Sequence, residues 1–158
     1  FCRTGTFPPL HRLAFVPTMV NTAPRKPPQS HHPTDQERKI HDGPCHDLKT
    51  VQNLVHSERH KAIRVVTENA SSEMIDYCMD EEDLAGLVLE LRSKHYHDSE
   101  WCKASPKSPW FEADAYRITK AERLPMERDL AQLKYYIKFS VNKLGNILLF
   151  FSVHRDYV

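Results

Sequence analysis

Two stretches near the end of the chain alternate apolar and polar residues with a period of two, and they constrain the fold more than any other feature. Tyr135, Ile137, Phe139 and Val141 are apolar at odd positions, and so are Ile147, Leu149, Phe151 and Val153. Successive strand side chains point to opposite faces, so each run predicts a strand with one buried face. The strands span residues 134–142 and 146–154. The intervening Lys143, Leu144 and Gly145 predict a three-residue hairpin loop with the glycine in the left-handed conformation. For both apolar sets to share a face, paired positions must sum to an even number. Pairing Asn142 with Asn146 meets that condition. It sets Tyr135 opposite Val153, Phe139 opposite Leu149, Tyr136 opposite Ser152, Lys138 opposite Phe150 and Lys134 opposite His154. One face is then core, and the other gathers a phenol, two amines, a hydroxyl and an imidazole.

Upstream, the period is helical. Leu48, Val51, Leu54 and Val55 recur at helical spacing behind Asp47, a suitable N-cap. Residues 80–93 predict the strongest helix: Asp80 caps it, acids fill its first turn, and Leu84, Leu87, Val88 and Leu91 form one apolar stripe. Such a stripe is ordinarily core. Between these helices, residues 62–66 predict a short strand and 69–77 a weaker helix. Residues 96–102 and 111–118 predict two further strands, and 126–133 a short helical turn.

The order of these elements predicts an α+β fold with a small antiparallel sheet packed against two or three helices. With 158 residues, 27% of them charged and 40% hydrophobic, the chain holds one ordinary core, taken to span 45–158. Eight of the eleven prolines fall within residues 1–44, and 21–42 has almost nothing apolar to bury, so 1–44 reads as a disordered leader. The chain begins with Phe and its first methionine is Met19, so residues before Met19 lie outside the native product if translation starts there. No apolar run approaches the roughly 20 residues needed to cross a membrane. Four scattered cysteines without a C-x-x-C pair suit reduced thiols in a cytoplasmic protein.

Net charge is close to neutral, but between Arg92 and Arg155 twelve Lys or Arg face seven acids. That excess suits a polyanion and equally suits a solvated face. A phenol, a lysine and a histidine on neighbouring strand positions are a set for RNA cleavage by internal transesterification. The reaction needs a base for the 2′-hydroxyl, a cation for the phosphorane and an acid for the leaving 5′-oxygen, and no metal or other cofactor. The same residue types also decorate any solvated antiparallel sheet. His95, His97 and Cys102 carry a zinc-like spacing, with no fourth ligand placed.

The segments P-C-H-D-L-K-T-V-Q-N-L-V, M-D-E-E-D-L-A-G-L-V-L-E-L, H-Y-H-D-S, W-F-E-A-D-A-Y, Y-Y-I-K-F and S-V-H-R-D follow one another over residues 44–156. In order and spacing this part of the chain resembles the MqsR family of bacterial toxin–antitoxin toxins. The resemblance implies a RelE-like fold and an mRNA endoribonuclease that arrests translation until a cognate antitoxin protein binds it. By position, Tyr96 and His97 match the family's Tyr-Lys on the first long strand, Tyr136 its active-site tyrosine, and His154 its basic residue near the C-terminus. Both family lysines are thus histidines here, and Glu112 or Ala113 stands where the family has a glutamine. The implied roles are acid and base for His97 and His154, and orientation or proton relay for Tyr96 and Tyr136. Lys134, Lys138, Glu112 and Arg155 are the implied substrate contacts. The alternative is a non-catalytic RNA- or protein-binding module of the same fold.

Overall fold

The computed structural model describes residues 24–158. Its framework is a six-stranded sheet in which β4 (Phe111–Arg123), β5 (Leu130–Val141) and β6 (Leu148–Tyr157) are the long members. Together with β1 (Lys39–Ile40), β2 (Ile63–Val65) and β3 (Tyr96–Cys102) they lie in the order β1-β3-β4-β5-β6-β2. All pairs are antiparallel except β2 with β6. The helices are α1 (Asp35–Arg38), α2 (Leu48–Glu58), α3 (Glu68–Asp76) and α4 (Glu81–Glu90). The α+β class is as expected, while the sheet is larger than the small one predicted.

The helices begin where their caps dictate. The Asp47 side chain accepts from Thr50 N at the start of α2, and Asp80 with Asp83 forms a reciprocal capping box on α4. Leu84, Leu87 and Val88 of α4 are buried, together with Val51 and Val55 of α2 and Met74 of α3. They pack on one face of the sheet against Tyr116, Ile118, Tyr135, Ile137, Phe139 and Phe150. Phe139 stacks on Tyr116 with ring centroids 5.5 Å apart. Burial at this depth contributes roughly 1.5–3 kcal/mol per large side chain.

Four expectations are corrected. First, the hairpin register differs from the one derived from alternation. Asn142 N donates to Ile147 O, and the Asn142 side chain accepts from the amides of Asn146 and Ile147, which closes the loop with Val141 opposite Leu148. Leu148 and Phe150 therefore face the core beside Phe139. A bulge then inserts Phe151, which turns to the other face, and Val153 returns to the core opposite Ile137. Tyr136 pairs with His154, Lys138 with Ser152 and Lys134 with Asp156. Gly145 does adopt the left-handed conformation, at φ +72°.

Second, residues 126–133 do not form a helical turn; Met126 is exposed, and β5 starts at Leu130 opposite Arg123. Third, α4 is shorter than 80–93, because Leu91 turns to extended backbone and residues 93–95 make a 3-10 turn.

Fourth, the ordered unit begins before residue 45. The Thr34 side chain caps α1, and Lys39 and Ile40 pair with Glu100 and Ser99 along the edge of β3. Buried Asp114 of β4 accepts from the backbone amides of Cys45 and His46, both at 2.8 Å, and from Ser99 Oγ at 2.6 Å. These bonds satisfy backbone donors that the proline-rich approach cannot pair within itself. The part of the leader prediction covering residues 1–23 lies outside the described residues.

Candidate functional site

The face of the sheet opposite α2 and α4 carries a row of functional side chains across four strands. A bulge between Tyr96 and Asp98 takes His97 out of the β3 ladder. The edge of its ring meets the Tyr136 ring at 6.2 Å between centroids and 76° between planes. Arg117, Tyr136 and His154 are direct partners across β4, β5 and β6. The Arg117 guanidinium lies 5.7 Å from the Tyr136 ring centre and the Lys138 ammonium 5.6 Å from it. One phenol thus gathers two cations and an imidazole edge.

A charged layer adjoins the row. Lys138 pairs with Glu100, and Lys39 pairs with Asp98 and approaches Glu100 at 3.8 Å. Lys138 on β5 and Glu100 on β3 are two strands apart. They meet because Ala113 and Ala115, their partners on the intervening β4, carry no bulk on that face. Burial works against the Lys138 ammonium, but the negative forms of Cys102, Glu100 and Tyr136 outweigh it and hold the amine well above its ordinary pKa. Burial also raises the Tyr136 phenol, against the opposing pull of Lys138. At neutral pH the pair is therefore a cation and an intact phenol, a hydrogen-bond donor and not a nucleophile.

Comparison with family models, curated proteins and solved structures finds no match. The geometry alone therefore sorts the sequence candidates. His97, Tyr136, Lys138 and His154 come together on one face. Lys134 is exposed on β5, two residues beyond Tyr136 and opposite Asp156. Tyr96 does not join them, because the bulge at His97 breaks the alternation: Tyr96 pairs with Tyr116 on the core face, whereas Asp98 and Glu100 pair with Ala115 and Ala113 on the other. Its ring packs edge-on against Tyr116 at 5.9 Å on the core side, and its hydroxyl bonds Ser99 Oγ at 2.8 Å. Arg155 also lies away from the row: its guanidinium sits 4.6 Å from the Tyr77 ring and donates to Tyr77 O. Glu112, opposite Trp101, is held by Arg25 at 3.0 Å, far along β4 from Arg117.

His154 is held on both ring nitrogens. Nδ1 lies 3.2 Å from Glu73 Oε1 and Nε2 lies 3.3 Å from Asp156 Oδ2. The two histidines sit on β3 and β6, three strand spacings or roughly 14 Å of backbone apart, with Tyr136 between them. Beside Tyr136 and His154, an open cleft of about 350 Å³ lies against α3, edged by Thr67, Asn69, Glu73 and Ser152.

Sequence reasoning did not single out Arg117, Asp98, Glu100, Lys39 or Glu73. The E-A-D-A-Y-R alternation on β4 carried the usable signal, because it places Arg117 on the same face as two alanines. The zinc-like spacing does not converge: the His95 ring accepts from Arg92 N, while His97 turns to Tyr136. Among the described residues no group of three or more His, Cys, Asp or Glu is placed to hold a metal. Nor is any described helix long and apolar enough to cross a membrane.

Proposed function

We propose that the chain is a metal-independent RNA endonuclease of the RelE-like, MqsR type, acting in the cytoplasm on mRNA and neutralised by a cognate antitoxin protein. The observation that carries this reading is the row His97, Arg117, Tyr136 and His154, with Lys138 beside it, on the face opposite α2 and α4. An imidazole flanks Tyr136 on each side along the row. Arg117 and Lys138 bring positive charge to the point between them.

In the proposed reaction the 2′-oxygen of one nucleotide bonds to the adjacent phosphorus while its proton passes to an imidazole. The phosphorus–5′-oxygen bond breaks, and a second imidazole protonates the leaving oxygen. The products are a 2′,3′-cyclic phosphate and a 5′-hydroxyl. Arg117 and Lys138 offset the extra charge on the phosphorane, and Tyr136 donates a hydrogen bond or stacks on a base. The Glu73 contact on Nδ1 orients the His154 ring, and Nε2 serves in proton transfer once RNA displaces the Asp156 carboxylate from it.

A second reading, a non-catalytic RNA- or protein-binding module, draws on the charged layer: Lys138 and Lys39 are both neutralised by carboxylates. Incubating the protein with a mixed RNA pool in EDTA from about pH 5 to 8 separates the two. Under the enzymatic reading, fragments carry 2′,3′-cyclic phosphate ends, and His97→Ala or His154→Ala lowers the rate by about 10²-fold or more. Intact RNA across that range overturns it.

A further inference from the structure

A second feature sits at the far end of the sheet. The chain's only two tryptophans, Trp101 and Trp110, line an open groove of about 650 Å³ with Phe111, Leu144, Leu149 and His46. It lies where the β3–β4 connection approaches the β5–β6 loop. Trp101 is buried, Trp110 and Phe111 are half-buried, and Leu144 is 84% exposed. The Lys103 ammonium stands 4.8 Å from the Trp110 ring centre. Lys107 lies in the same connection and Lys143 in the facing loop, and both are exposed. The one acid lining the groove, Glu112, is already paired with Arg25 at 3.0 Å.

Aromatic surfaces edged by unopposed cations suit single-stranded nucleic acid, whose bases stack on the rings while its phosphates meet the amines. An apolar protein segment would need no such charge. Phe111 and Arg117 lie on the same strand, six residues or about 20 Å apart at roughly 3.3 Å per residue. A few nucleotides cover that span.

We infer that the Trp110 groove is a binding subsite for single-stranded RNA flanking the segment that lies on the His97–Tyr136–His154 row. Bases stack on Trp110 and Phe111, and Lys103 and Lys143 meet the phosphates. The inference rests on the proposed nuclease reading for its choice of RNA over other polyanions.

The test is a fluorescence titration of the whole protein with a 2′-O-methyl RNA of about twelve nucleotides. That probe lacks the 2′-hydroxyl and cannot be cleaved by transesterification. Because both tryptophans line the groove, occupancy quenches the emission. Binding should weaken with salt, and Lys103→Ala with Lys143→Ala should flatten the plot of log affinity against log salt by about 0.7 per lysine. Circular dichroism verifies that this surface variant is folded, and Trp110→Phe, which retains a ring, should bind more tightly than Trp110→Ala.

No quenching, or a salt slope unchanged in the double lysine variant, overturns the inference. Emission that responds to protein concentration and not to RNA also overturns it, and marks the groove as a contact between copies. Cleavage of ordinary RNA is measured in parallel. Cleavage without quenching removes the groove alone, whereas quenching without cleavage removes the nuclease reading and leaves the groove as the site of an RNA-binding module.

Discussion

Replacing Asp114 by Asn removes one charge and one acceptor oxygen from the point where residues 45–46 are fixed to the sheet. Oδ1 of Asp114 accepts from Cys45 N and Ser99 Oγ, and Oδ2 accepts from His46 N. In either amide orientation the new NH2 group faces a backbone N–H in a fully buried position. One donor is left without a partner, at about 1–3 kcal/mol. The remaining bonds fall from charge-assisted to neutral strength, a loss of about 1 kcal/mol each. Relief of the buried charge offsets part of this. The expected net loss is about 3 kcal/mol, and at roughly 2–4 °C per kcal/mol for a chain of this size Tm should fall by about 10 °C. Urea unfolding followed by circular dichroism gives the free energy, and calorimetry gives Tm. A loss under about 1 kcal/mol would show that residues 45–46 are held by something other than this carboxylate.

Asp47→Ala should cost about 1 kcal/mol at neutral pH through loss of the α2 cap. Hydrogen bonds from the Thr50 hydroxyl and amide hold the Asp47 carboxyl below its ordinary pKa. Its contribution is therefore complete above the unfolded pKa of about 3.9 and is lost as pH falls through the folded value. Wild type and variant should converge in stability once pH has fallen below that folded value; a constant difference across the acid range would show that the cap is not what the substitution removes. Gly145→Ala puts a side chain on a residue at φ +72° and should cost about 1 kcal/mol. The check is a lower urea midpoint at unchanged m, and an unmoved midpoint would show that the loop relaxes.

The fold was legible in the sequence where one local rule decided it. Strict alternation from Tyr135 to Phe139 fixes the core face of β5, and Asp47 and Asp80 place the starts of α2 and α4. The register of β6 was not legible, because Leu148, Leu149, Phe150 and Phe151 are all apolar and alternation does not distinguish their faces. The Asn142 side chain and the Phe151 bulge decide between them, and neither leaves a periodic trace. The edge strand β1 is only two residues long, inside a proline-rich approach. Its place comes from pairing with β3 and from the Lys39–Asp98 contact, which are tertiary facts.

The candidate site follows the same line. The facing of Tyr96 left no periodic trace: regular alternation sets it with Asp98 and Glu100, and the bulge at His97 turns it to the core instead. The neutralisation of Lys138 has no local cause either, because Glu100 lies two strands away and reaches it only over Ala113 and Ala115. This contact bears directly on how the face meets a polyanion. A Lys138 ammonium already committed to Glu100 offers less attraction to phosphate than its raised pKa suggests, since the carboxylate that stabilises the cation also cancels its field. Arg117 is exposed beside the same ring. It is therefore the cation an incoming phosphate meets first, and Lys138 contributes to the extent that the phosphate displaces Glu100.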